Sequence, residues 1–183
     1  MIMELEEWSV RRWSLAGLAF CVLMMAVALG LEHGAGLEPC PLCIFQRVAV
    51  IVAGVVFALA AWHDPKGRAG AALYGLLGVV AVGTGIGLAG RHLWLQSLPA
   101  DQVPSCGPGL DYMMEILPLR EVLATVLTGS GECAEVSASL LGLSLPGWTL
   151  IGFVVLMLAP LGLLVKSLRR DHGYRWQGVP DRA

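Results

Sequence analysis

The chain has 183 residues, 56% of them hydrophobic and only 14% charged, with a net charge of −2 and a mean hydropathy of +0.71. That is the composition of an integral membrane protein, and the length suits one compact domain. Nucleic-acid binding has no support, because the basic residues mark the ends of apolar runs and do not gather into a patch.

Four apolar runs predict spanning helices over about 14–31, 44–62, 69–90 and 147–168. Each is near the roughly 20 residues that cross a hydrocarbon core. Arg11 and Arg12 before the first run, and Ala26-Val27-Ala28 within it, resemble a cleavable signal. The run of about 18 residues is longer than a signal core, so it is read as a retained helix. The third run holds Gly75, Gly78, Gly83, Gly85, Gly87 and Gly90, small residues that let helices approach closely in lipid.

Lys and Arg set the orientation. Arg11, Arg12, Lys66, Arg68, Lys166, Arg169, Arg170, Arg175 and Arg182 flank the runs on one side, leaving only Arg47, Arg91 and Arg120 in or near the other. Both termini are therefore predicted to be cytoplasmic. The loops of about 32–43 and 91–146 then face outward, which in a bacterial inner membrane means the periplasm, where disulfides persist. The second loop opens with a Pro/Gly-rich arm from Gln96 to Gly109. Leu119, Val122, Leu123, Val126 and Leu127 follow at helical spacing, with Pro118 before them and Gly129 after. A short helix lying on the membrane is the preferred reading, and a helix packed on the bundle's outer ends the alternative. The predicted fold is all-α, a membrane four-helix bundle with a short interfacial helix in the second outer loop.

Four of the five cysteines fall on that outer side. Cys40 and Cys43 form a Cys-Pro-Leu-Cys motif at the start of the second helix, with Pro41 suited to its first turn. Free N–H groups and the helix dipole there favour the thiolate, the reactive form of cysteine. Arg47 lies four residues after Cys43, on the same helical face. A guanidinium in an apolar segment needs a partner, and a thiolate or an anionic cofactor would serve. Cys106 and Cys133 lie in the long loop, where an ordinary staple is the plain alternative to a mobile exchange pair. A four-cysteine zinc site is possible in number, but the second pair lies 27 positions apart, and no metal site is predicted. Cys21, in mid-helix, has no assigned role.

Three segments carry a resemblance over nearly the whole chain: Glu38-Pro39-Cys40-Pro41-Leu42-Cys43-Ile44-Phe45-Gln46-Arg47, Gly129-Ser130-Gly131-Glu132-Cys133-Ala134-Glu135 and Leu141-Gly142-Leu143-Ser144-Leu145-Pro146-Gly147-Trp148, with His92, Gln96 and Pro99. The chain resembles the DsbB family, membrane quinone reductases that re-oxidise the periplasmic thioredoxin-fold oxidase DsbA, a couple known to keep the bacterial periplasm oxidising. The resemblance implies that Cys106 is attacked by the partner's thiolate, and that Cys133 pairs with Cys106 at rest and exchanges with Cys40 in turnover. It implies that Cys43 delivers electrons to ubiquinone or menaquinone through a thiolate–quinone charge-transfer state, with Arg47 stabilising that state. His92, Leu145 and Trp148 would border the same quinone, together with Pro146. Leu145 departs from relatives that have Met there. Without the resemblance, His92 reads as an interfacial residue and Trp94 as part of an aromatic belt.

A vitamin K epoxide reductase type of enzyme also joins a CxxC to a quinone, but with the order of its cysteine pairs reversed. A non-enzymatic scaffold with structural or zinc-loaded cysteines is the competing class. A transporter is disfavoured because mid-membrane ionisable residues are nearly absent.

Overall fold

In the computed structural model, residues 9–99, 101–103, 110–129, 131–134 and 139–174 are described. Cys106 and its Pro/Gly-rich neighbours lie outside them. Helix α1 spans Val10–Ala35, α2 Pro41–His63 and α3 Arg68–Gln96. Three short helices follow: α4 (Leu110–Ile116), α5 (Leu119–Thr128) and α6 (Gly131–Ala134). A small hairpin of β1 (Ser139–Leu140) and β2 (Leu143–Ser144) leads into α7 (Leu145–Leu156) and α8 (Leu158–Tyr174).

Local chemistry sets these boundaries. Ser9 caps α1 by accepting from the Arg12 N–H at 3.2 Å, and Gly36, at φ 66°, ends it in the left-handed conformation that glycine adopts without steric cost. The second helix starts before the 44–62 span: Pro41 supplies its first residue and Cys40 caps it, which puts the Cys-Pro-Leu-Cys motif at the helix start as expected. The third helix also outruns the 69–90 prediction and continues to Gln96. Arg91, His92 and Trp94 are thus helical, because the run Arg91–Gln96 contains no glycine or proline to stop it. The predicted fourth helix divides at Met157. Pro160 has no N–H to offer the Leu156 carbonyl, and its ring crowds that turn.

The helices form a ring in which α1 packs on α2, α2 on α3, α3 on α7 and α8, and α8 on α1. Cys21, Ala53, Phe57, Val82, Phe153 and Leu156 are buried at its centre. The glycines of α3 divide by role. A Cβ on Gly75 would sit 2.8 Å from Leu164, one on Gly78 2.8 Å from Pro160, and one on Gly85 inside the Phe153 ring, whereas Gly87 and Gly90 face open space. The outward faces carry Val22, Val27, Ile51, Val55, Leu76, Val80 and Val154, all exposed. Among the described residues, four helical spans are long and apolar enough to cross a membrane: α1, α2, α3, and α7 with α8 taken together over Leu145–Leu168. An apolar surface continuous around a bundle of such helices is one that lipid solvates and water does not.

One end of the ring is covered by the chain between α3 and α7. The short helix expected near residues 119–128 is present as α5, with Pro118 at its cap and Gly129 at φ 90° after it. Its Val122 and Val126 are buried with Leu42, Leu88, Leu95 and Met113, while Leu119 and Leu127 stay exposed. The helix therefore sits on the bundle end with an apolar flank outward, which merges the two readings of the sequence. Arg91 holds it there, donating from Nε to the Leu127 carbonyl at 3.0 Å and from Nη2 to the Thr128 carbonyl at 2.8 Å. These are carbonyls that a helix C-terminus leaves unpaired. The Arg91 guanidinium also lies 4.0 Å from the centroid of the Trp94 ring, so Trp94 has a cation partner besides any belt role.

Replacing Gly85 with Leu should cost stability by overpacking, about 1–3 kcal/mol. The Gly87→Ala change, facing open space, should be neutral or stabilising because alanine is the better helix former. Thermal unfolding of both variants in detergent checks this pair, and equal melting temperatures would contradict the packing.

Candidate functional site

The first turn of α2 gathers the reactive groups. Cys40 has extended backbone angles, φ −67° and ψ 163°, and its sulfur accepts the Cys43 N–H at 3.4 Å. It thereby does the work that Ser or Asp does at most helix starts. The same fold-back places the two sulfurs 2.9 Å apart. Both cysteines are free thiols, half-buried, in contact but not bonded.

His92 reaches this turn from the last turns of α3. It is only 2% exposed. Its Nε2 lies 3.8 Å from Cys40 Sγ and its Nδ1 4.0 Å from Cys43 Sγ. Gln46, also buried, donates from Nε2 to His92 Nδ1 at 3.4 Å. With Nδ1 accepting, the neutral imidazole carries its proton on Nε2, aimed at Cys40. The resemblance gave His92 a place near a quinone. The structure puts it in contact with the cysteine pair, a relation that the sequence does not display.

Arg47, one turn beyond Cys43, faces α1. Its Nη1 donates to Glu32 Oε2 in an ion pair and its Nη2 approaches the Ala28 carbonyl at 3.5 Å. The partner that an intramembrane guanidinium requires is therefore Glu32, which falls in the predicted outer loop of about 32–43. Glu32 and Gln46 are the two residues of this site that sequence reasoning missed. Each had a signal: Gln46 interrupts an apolar run three residues after Cys43, and Glu32 is a carboxylate at the helix end that faces Arg47.

Cys133 lies on α6 and is only 1% exposed. It is buried with Leu42, Leu95 and Val126 in a cluster that Cys40 joins from its more open side. It is also within electrostatic reach of Cys43. Cys133 is thus part of the floor on which the CxxC motif rests, not a residue held loosely at the surface. Cys106 lies outside the described residues. Leu145 and Trp148 begin α7. The Trp148 indole donates to the Leu140 carbonyl at 3.0 Å and so ties the hairpin to the helix. Among the described residues, neither Leu145 nor Trp148 shares a buried cluster with the cysteine pair. Cys21 is buried against Gly54 at mid-bundle, as an inert core thiol should be.

The chain is similar in sequence to a known family and to several known proteins. The family described as disulfide bond formation protein DsbB matches residues 10–163. Disulfide bond formation protein B of Chromohalobacter salexigens is 59% identical over 164 residues, covering 90% of this chain and 95% of that one. The protein of the same name from Marinobacter nauticus is 54% identical over 167 residues, covering 90% and 96%. That of Acinetobacter baumannii is 51% identical over 145 residues, covering 79% and 85%.

Two measurements probe the site's supports. A double-mutant cycle on Glu32→Gln and Arg47→Gln should give a coupling of about 1 kcal/mol in unfolding free energy, the scale of a partly screened pair; additive effects would remove the ion pair from the account. In a reduced protein whose other cysteines are replaced, Arg91→Ala should let Cys133 react with maleimide several-fold faster, because α5 loses two charge-assisted bonds of about 1 kcal/mol or more. An unchanged rate would show that Arg91 does not hold the cover over Cys133.

Proposed function

Since the chain belongs to the DsbB family of disulfide bond formation proteins, and is a multi-pass membrane protein, we propose that it re-oxidises a periplasmic, DsbA-like thioredoxin-fold dithiol and passes the electrons to a membrane quinone. The observation that carries this reading is the pair of half-buried thiols in contact at the start of α2, with a guanidinium one turn further along the same helix. In this reading the bundle lies in a bacterial inner membrane with both termini cytoplasmic, and the cysteine end is periplasmic.

Electrons enter at the loop pair. A thiolate of the soluble partner attacks Cys106 of a Cys106–Cys133 disulfide, and the partner leaves as its own disulfide once its second thiol attacks. The loop disulfide is restored when Cys133 attacks Cys40 of a Cys40–Cys43 disulfide, freeing Cys43, and Cys106 then attacks Cys133 of the resulting mixed disulfide, freeing Cys40. Cys133 is suited to this because it is buried in the same cluster that Cys40 joins. The net result returns two electrons and two protons to Cys40 and Cys43. Exchange proceeds through thiolates, and the free N–H groups at the start of α2 stabilise that form. His92, in contact with both sulfurs, is placed to hold a proton as the pair is oxidised again.

The chain's donors fit ubiquinone or menaquinone. Cys43 and Arg47 occupy one face of α2 on which neither is fully buried. Arg47 retains unused N–H donors for a carbonyl oxygen after pairing with Glu32. When bound, a quinone supplies the two-electron acceptor that disulfide formation requires. The Glu32–Arg47 pair keeps the guanidinium at the depth of that face, so its positive charge would be already oriented toward a bound acceptor.

Stopped-flow absorbance tests the proposal. With a reduced thioredoxin-fold partner and ubiquinone or menaquinone, the wild-type protein should consume the quinone, and Cys43→Ser should not. Normal quinone loss in the Cys43→Ser protein, or none with the wild type and either quinone, would overturn the reading.

A further inference from the structure

Cys40, Cys43 and His92 are also a donor set for a metal ion. Among the described residues, one sulfur from each cysteine and one imidazole nitrogen lie within 4.8 Å of one another. We propose that the reduced protein carries a zinc(II) site of two thiolates and one imidazole, Cys40, Cys43 and His92, that exists only in the dithiol state.

The chemistry of the donors points to this cation. Zinc takes Cys sulfur and His nitrogen in tetrahedral arrangement, with metal–sulfur bonds of about 2.3 Å and metal–nitrogen bonds of about 2.0 Å. Those lengths imply donor separations of roughly 3.5–3.8 Å. The Cys40 Sγ to His92 Nε2 distance is already 3.8 Å. The sulfurs, at 2.9 Å, need to open by roughly 1 Å, which side-chain rotation at the helix start supplies. Hard cations such as Mg²⁺ and Ca²⁺ are excluded by the absence of oxygen donors in the set.

The surroundings supply what isolated cysteines lack. His92 is nine-tenths buried and more, and its orientation is fixed by Gln46. Ligation through Nε2 puts the proton on Nδ1, which can donate a hydrogen bond to the Gln46 amide oxygen once that amide turns its oxygen inward. That is the outer partner that metal-bound histidines ordinarily have. Three protein donors leave the fourth position to water. Binding displaces the two thiol protons and involves no change of oxidation state: Zn²⁺ and two thiols give a zinc dithiolate and two protons. The bound pair is withdrawn from disulfide exchange, since its sulfurs no longer act as free nucleophiles.

The site needs neither a quinone nor a partner protein, so its test leaves both out. Reduced protein in detergent is titrated with Zn²⁺ against a chromophoric chelator, and with Co²⁺ as a spectroscopic probe. One equivalent should bind, with thiolate-to-cobalt charge-transfer bands, and should protect Cys40 and Cys43 from alkylation. The same protein with its Cys40–Cys43 disulfide formed should bind none. Gln46→Leu should weaken binding about 10- to 100-fold, and His92→Ala should weaken it further. The Cys21→Ala variant, whose thiol is buried against Gly54 away from the site, should bind as the wild type does. Equal binding by the dithiol and disulfide forms, or no competition with the chelator, would each overturn the proposal. Comparison of the dithiol and disulfide forms needs no substitution, so a poorly folding His92 variant does not blunt the test.

Discussion

An α-helix begins with backbone N–H groups that no residue of its own can satisfy. At the start of α2 one of these is met by the sulfur of Cys40. That single bond settles most of the geometry at this end of the molecule. It turns the Cys40 side chain back over the first turn and sets the two sulfurs 2.9 Å apart. Pro41 makes the arrangement cheap, since its ring fixes the backbone angle of the first helical residue and removes a donor that would otherwise go unpaired. The reactive pair and the helix cap are therefore one structure, and chemistry at the sulfurs is also chemistry at the end of a membrane helix.

Everything else at this end keeps that turn in place. Leu42 packs it down onto α3 and α5, and Cys133 lies in the same floor. His92 and Gln46 form a small polar cluster roofed by apolar side chains, with no buried side-chain nitrogen or oxygen left without a partner among the described residues. A buried imidazole is tolerable on those terms because its desolvation is offset by its contacts. The close approach of α3 to α7 and α8 through Gly75, Gly78 and Gly85 fixes the height at which His92 arrives.

Much of this was legible in the chain. Four long apolar runs announced four spanning helices, the α5 periodicity and its flanking Pro118 and Gly129 gave the short helix, and Cys40, Cys43 and Arg47 were visible as a constellation because they are near neighbours in sequence. What was not legible lies between elements. His92 is 49 residues from Cys43, and no local pattern links them; their meeting depends on how far α3 extends and how it crosses α2. Glu32 looked like a loop charge because the apolar run ends before it, yet α1 continues to Ala35 and turns the carboxylate inward. The hairpin after α6 was missed too. Its turn places Leu141 at φ 54° before Gly142 at φ 81°, and a leucine in that conformation is not a turn signal that sequence rules weigh.

The docking of α1 has a wider consequence. The helix is seated in its first third, where Gly17 lies against Phe57 and Ala159 so closely that an added Cβ would come within 2.9 Å of the ring. Glu32 stands 15 residues further along the same rod, about 22 Å away. With the seat as fulcrum, α1 acts as a lever. A bulkier residue at position 17 would tilt it, and the displacement would be greatest at the far tip, where the carboxylate grips Arg47. The charge beside the reactive sulfur is thus set partly toward the opposite end of α1, by the size of a residue that touches no cysteine.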